Sequence, residues 1–157
     1  MRQNLAKETQ QPIVRLASEE DASQIATLYA TSFPEHIMVR RGLLSDPAYI
    51  AARLQNPDEV WAVEQDESIR AVGALAIVAP VGLGEIERVC VAREHREKGL
   101  SRDLCGFLLD QARERGLGFV EAFARGNQPA MQKTNEKLGL KVYGVSPRFE
   151  IVHDGRI

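Results

Sequence analysis

The stretch Arg96-Glu97-Lys98-Gly99-Leu100-Ser101-Arg102 decides how this chain folds. Before it lies an apolar run, Val89-Cys90-Val91. After it, Leu100, Leu104, Cys105, Leu108, Leu109 and Ala112 recur at helical spacing. That change of period reads as strand, tight turn and helix, with Gly99 at the helix entrance. The charges are unusual for the place. A helix N-terminus carries roughly half a positive charge and favours Asp and Glu, yet Arg96, Lys98 and Arg102 crowd this one. Free backbone N–H groups, the helix dipole and three cations together suit an anion such as a phosphate; a solvated basic loop is the plainer alternative. The segment lacks the Gly-Lys-Ser/Thr of the nucleotide-triphosphate loop, and its single glycine excludes the three-glycine dinucleotide fingerprint.

Working towards the N-terminus, Glu85-Ile86-Glu87-Arg88 continues the strand that delivers this loop, and Gly82-Leu83-Gly84 turns the chain into it. Val60–Val63 and Val72–Val78 flank a polar turn at Asp66-Glu67-Ser68, which predicts a hairpin. Asp46-Pro47 opens a short helix with proline in the tolerated first turn. Ser18 with Asp21 three residues on opens another, whose apolar face is Ala22, Ile25, Ala26, Leu28 and Tyr29 and which Phe33-Pro34 ends. Ile13–Ala17 reads as a strand, and the polar residues 1–12 as a loose tail preceding a single domain over 13–157. Towards the C-terminus, Gly116-Leu117-Gly118 breaks the long helix and Phe119–Ala124 forms the next strand. A helix from about Pro129 stops at Gly139. Val142-Tyr143-Gly144 and Phe149–Val152 read as closing strands.

Composition sets the outer bounds. At 157 residues the chain holds one domain with a real core. Its 44% hydrophobic and 27% charged content is that of a globular protein, and a net charge of -2 gives no reason to expect nucleic acid as a partner. No apolar run reaches a membrane span and the first residues lack the apolar core of a signal peptide, so no membrane partner and a cytoplasmic location are expected. Cys90 and Cys105 fall on expected buried faces without metal-type or redox-type spacing, which leaves no metal site in view.

The element order predicts a mixed α/β domain. Its motifs resemble those of the GNAT N-acetyltransferases. Arg96-x-x-Gly99-x-Ser101 after a hydrophobic strand and before a long helix is similar to that family's acetyl-CoA motif, with Ser101 in place of the last Gly or Ala. Gln128-Pro129 through Lys137-Leu138-Gly139-Leu140 resembles its second landmark, and the likeness covers roughly residues 13–153. The resemblance implies an α+β fold with a mostly antiparallel sheet, helices on both faces and a split that holds acetyl-CoA. It implies a pyrophosphate cradle of Arg96, Lys98, Gly99, Leu100, Ser101 and Arg102, with Val89 and Val91 pairing the pantetheine arm. A fainter likeness, to the acetyltransferase half of β-lysine acetyltransferases, points to an amino-acid-like amine.

The implied activity is acetyl transfer from acetyl-CoA to a primary amine, of a small molecule or a protein, directly in a ternary complex. A primary ammonium with pKa about 10.4 is mostly charged near neutrality, so a base is needed. Glu85, eleven residues before Arg96, stands where many family members place one, and Glu87 lies on the same strand face. Both also fit solvated carboxylates paired with Arg88 or Arg15. The Val89 N–H is the candidate oxyanion donor. Where many members carry a tyrosine acid this chain has Asn135, which can bond CoA but is no acid. Tyr143 is the candidate substitute, with sheet packing as its other role. That departure motivates a second reading, a catalytically weak acyl-CoA sensor or accessory subunit. Residues 33–44, with His36, Arg40 and Arg41, and the closing strands would select the acceptor, a solvated loop being the other role for those three side chains; a homodimer is left open.

Overall fold

A computed structural model describes residues 12–126 and 128–145 of the chain. Five strands, β1 (Ile13–Leu16), β2 (Glu59–Asp66), β3 (Ser68–Val78), β4 (Leu83–Val91) and β5 (Phe119–Ala122), form one sheet in sequence order. All neighbours are antiparallel except β4 and β5, which run parallel. The helices are α1 (Ala22–Ser32), α2 (Ile37–Arg40), α3 (Pro47–Leu54), α4 (Leu100–Glu114) and α5 (Pro129–Lys137).

Strand alternation divides the core in two. Trp61, Val63, Val72, Ala74 and Cys90 point to the face covered by α1 and α3, where Ile25, Tyr29 and Ile50 are buried. Val60, Ala62, Ala71, Leu75 and Ile86 point to the other, where Leu104, Cys105 and Leu108 of α4 pack. Gly73 lets α4 approach closely: a Cβ there would stand 3.1 Å from Leu104 and 3.3 Å from Leu108. Asp46 caps α3 by accepting the Ala48 N–H at 2.9 Å, ahead of Pro47.

Most expected elements are present, with three differences. The stretch 34–44, irregular by sequence, contains α2, whose first turn His36 caps by accepting the Met38 N–H. Ser18 opens a short 3-10 turn, Glu19–Asp21, and α1 begins at Ala22. The Asp21 carboxylate takes the Ser18 N–H at 2.7 Å and is also drawn to the Arg15 guanidinium. Val142-Tyr143-Gly144 is not a strand: residues 141–145 are irregular and exposed. Tyr143 meets β5 through its side chain instead, its ring edge-on to Phe119 at 6.2 Å and its hydroxyl donating to Glu121. The expected strand at Phe149–Val152 lies outside the described residues, as do residues 1–11 of the expected tail. Among the described residues no helix is long and apolar enough to cross a membrane.

Candidate functional site

The site begins where the parallel pair separates. β4 and β5 are in register from Leu83↔Phe119 to Ile86↔Ala122 and no further, so the chain from Glu87 to Val91 borders a split. On its other edge β4 stays with β3, but through a bulge. Val72 pairs Cys90 and Ala74 pairs Glu87, which leaves Arg88 and Val89 together opposite Gly73. Arg88 takes φ of 57°, in the left-handed region. The extra residue resets the alternation. Glu85 and Glu87 point to the α1/α3 face and so does Arg88, whose guanidinium lies 5.6 Å from the Trp61 ring. Val89 and Val91 turn to the α4 face. Ala92 N–H donates to Arg70 on β3 at 2.8 Å, so alternation sends the Val91 amide to the edge away from β3.

Past β4, Glu97 (φ 65°) and Gly99 (φ 84°) are both left-handed, and Gly99 caps α4. A Cβ at Gly99 would meet only the Arg102 guanidinium, at 3.6 Å, so it is the backbone angle that calls for glycine. The first α4 bond runs from Asp103 N–H to Gly99, which leaves the amides of Leu100, Ser101 and Arg102 without intrahelical partners. Free amides at a helix start suit an anion, and Lys98 and Arg102 are exposed beside this one. Arg96 is placed differently from its two basic neighbours. Its guanidinium donates to the carbonyls of Val91 (3.2 Å) and Ser32 (3.2 Å) and lies 5.1 Å from the Phe33 ring, which ties the loop to the end of α1. Ser101 Oγ is 3.4 Å from Thr134 Oγ1, which joins α4 to α5; Asn135, next in α5, is half-buried.

The carboxylates gather on the α1/α3 side of the split. Glu85 is the register partner of Glu121 on β5, so the two share a face. Glu87 pairs with Arg88 at 2.5 Å. Burial holds the Glu87 carboxyl above its ordinary range, against the pull of Arg88, and Glu85 pushes it the same way as burial. The Tyr143 hydroxyl rests on Glu121, and that bond raises its pKa. Arg15, the other partner considered for the glutamates, is held by Asp21 and Gln65.

Four participants were not singled out from sequence. Glu59, buried on β2, accepts from Trp61 Nε1 (2.8 Å), Arg53 and Arg88 (3.2 Å). Tyr29, buried in α1, donates its hydroxyl to the Arg88 carbonyl at 2.5 Å. A carboxylate opening the apolar run Glu59–Val63 was a visible anomaly, whereas Tyr29 looked like any other core aromatic. Arg53 and Glu121 gave no local signal. Both cysteines are buried and free, with their thiols pushed up to about 12 by burial, which leaves neither as a ready nucleophile.

The family model described as acetyltransferase (GNAT) family matches residues 22–140. A ribosomal-protein-alanine N-acetyltransferase from Brucella melitensis biovar Abortus superposes with a TM-score of 0.70 at 20% identity, covering 90% of this chain and 100% of that one. The PaiA N-acetyltransferase from Thermoplasma acidophilum, solved with coenzyme A, gives 0.75 at 13% identity, covering 88% and 94%. An aminoglycoside N-acetyltransferase in complex with CoA gives 0.72 at 13%, covering 89% and 94%. At these identities the likeness is one of fold. No curated protein matches the chain.

Proposed function

The chain belongs to the acetyltransferase (GNAT) family, and we propose that it moves an acetyl group from acetyl-CoA to a primary amine by direct attack in a ternary complex. The observation that carries this reading is the split itself. It opens at Glu87, it is flanked by carboxylates on one face, and it leads to unpartnered amides at the α4 start. Coenzyme A in two of the structural neighbours supports the same use of the cleft.

In this reading the amides of Lys98 to Arg102, with the Lys98 and Arg102 side chains, hold the pyrophosphate. The Val91 N–H pairs the pantetheine arm, since Arg96 already occupies the Val91 carbonyl. Arg96 acts on the cofactor through the loop it braces. Glu85, Glu87 and Glu121 offer a protonated amine three carboxylates, and Glu87 serves as the base because burial makes it hold a proton more firmly than an ordinary glutamate does. Val89 N–H stabilises the oxygen that gains charge as the amine attacks. The departing thiolate, with a pKa of about 8.5, leaves with little help from an acid. Asn135 therefore does not preclude turnover.

The test is coenzyme A release with acetyl-CoA and a panel of amines, for wild type and Glu87→Gln. Release that falls at least about a hundredfold in the variant supports the assignment. Acetyl-CoA binding without release for any amine would leave the sensor reading standing.

A further inference from the structure

The bulge of β4 carries an unusual load. Arg88 is not glycine yet adopts φ of 57°. Such a residue is strained, and it persists where its surroundings over-determine it. Here they do so from several sides. The Arg88 guanidinium bonds Glu59 and Glu87 and lies against Trp61. Its carbonyl is taken by the Tyr29 hydroxyl, from a side chain buried in the α1/α3 core.

The carbonyl contact matters most, because the Arg88 carbonyl and the Val89 N–H belong to one peptide plane. With the described bonds all trans, the two groups point in opposite directions. A carbonyl held on the α1 side sends the Val89 N–H the opposite way, towards the α4 face of the strand segment that borders the split. A left-handed residue at a bulge gives the following peptide more than one accessible orientation, and a buried hydroxyl donor selects one of them. An oxyanion donor is effective only when its direction is set before the reaction.

We propose that Tyr29 is a positioning residue for acetyl transfer: its hydroxyl holds the Arg88 carbonyl and thereby aims the Val89 N–H at the thioester oxygen. This rests on the acetyltransferase reading above. Tyr29 touches neither substrate. Its effect passes through one peptide and falls on the chemical step, leaving cofactor binding untouched.

Tyr29→Phe keeps the ring and removes the hydroxyl. The probe is acetyl-CoA with a mixture of the common amino acids, spermidine and neamine, read by free thiol release. The expected result is a fall in kcat of about tenfold or more, with acetyl-CoA affinity by calorimetry within about twofold. The Val89 amide cross-peak should be displaced while those of the α4 start stay in place. Equal kcat in wild type and variant overturns the inference alone, and so does a loss confined to cofactor affinity. No thiol release by wild type overturns the acetyltransferase reading and the inference with it. If Tyr29→Phe does not fold, 3-fluorotyrosine at position 29 keeps the side-chain shape and alters the donor strength. A kcat changed by about twofold or more at constant acetyl-CoA affinity then supports the proposal, and an unchanged kcat overturns it.

Discussion

Arg96 Nη2 reaches the carbonyl oxygen of Ser32 at 3.2 Å, across 64 positions of sequence, and so couples the loop before α4 to the last residue of α1. A second bond to Val91 and the Phe33 ring complete the hold. The guanidinium is thus a strut, and what it supports is the direction of the loop amides.

Arg96→Ala should therefore weaken acetyl-CoA binding without abolishing it. Saturation at about a hundred times Kd stabilises wild type by about 2.7 kcal/mol. A tenfold loss of affinity in the variant would remove about 1.4 kcal/mol of that at the same ligand concentration. Thermal unfolding of both proteins, with and without ligand, checks this. An undiminished shift would show that the strut is dispensable.

Gly99→Ala tests the loop backbone itself. Placing a Cβ at φ of 84° costs about 1–2 kcal/mol. The relaxed loop should then lose acetyl-CoA affinity by tenfold or more in calorimetry.

Glu87 makes a signed pH prediction. Its carboxyl is raised by burial, so it loses its proton at a higher pH than an ordinary glutamate and the acidic limb of kcat/KM follows it. Arg88→Gln removes the cation that opposes the rise and should move the limb further up. For stability the sign is reversed: a carboxyl raised in the fold stabilises below its unfolded pKa, and that contribution is lost as pH rises through the folded value. Glu87→Gln should accordingly be neutral or stabilising at pH 7, while kcat falls.

Glu59→Ala should do the opposite and destabilise. It leaves Arg53, Arg88 and the Trp61 N–H without their shared acceptor in a buried setting. Removing one side of a buried ion pair costs about 3–5 kcal/mol. At this size that is a fall in Tm of roughly 6–20 °C.

The cysteines give a control on mechanism. With both thiols near 12, folded protein at pH 8 should resist iodoacetamide, and denaturant should expose two reactive groups. Turnover should survive Cys90→Ala, as direct transfer requires.

Much of this was legible along the chain because it is local. Change of hydrophobic period marked α4, Asp46-Pro47 marked α3, and Gly99 marked the loop, since caps and left-handed turns are written in a few adjacent residues. The family resemblance, carried in part by the motif around Gly99, implied the split beside residues 85–92 and 118–125. The strand expected at Val142–Gly144 failed because a β-rich composition does not specify a ladder partner, and Tyr143 docks by its ring and hydroxyl instead.

By itself, then, the sequence determined the order of elements, the apolar faces and the glycine-capped start of α4, all of which depend on neighbours within a turn or a strand. Only the tertiary structure decided which groups meet at the split. Glu121 stands beside Glu85 through parallel register. Glu59 gathers two arginines. Arg96 turns back to Ser32, and Tyr29 grips the carbonyl of a residue 59 positions away. These contacts follow from how α1 and α3 lie on the sheet and from one extra residue in β4, and packing of that kind leaves no periodic trace in the chain.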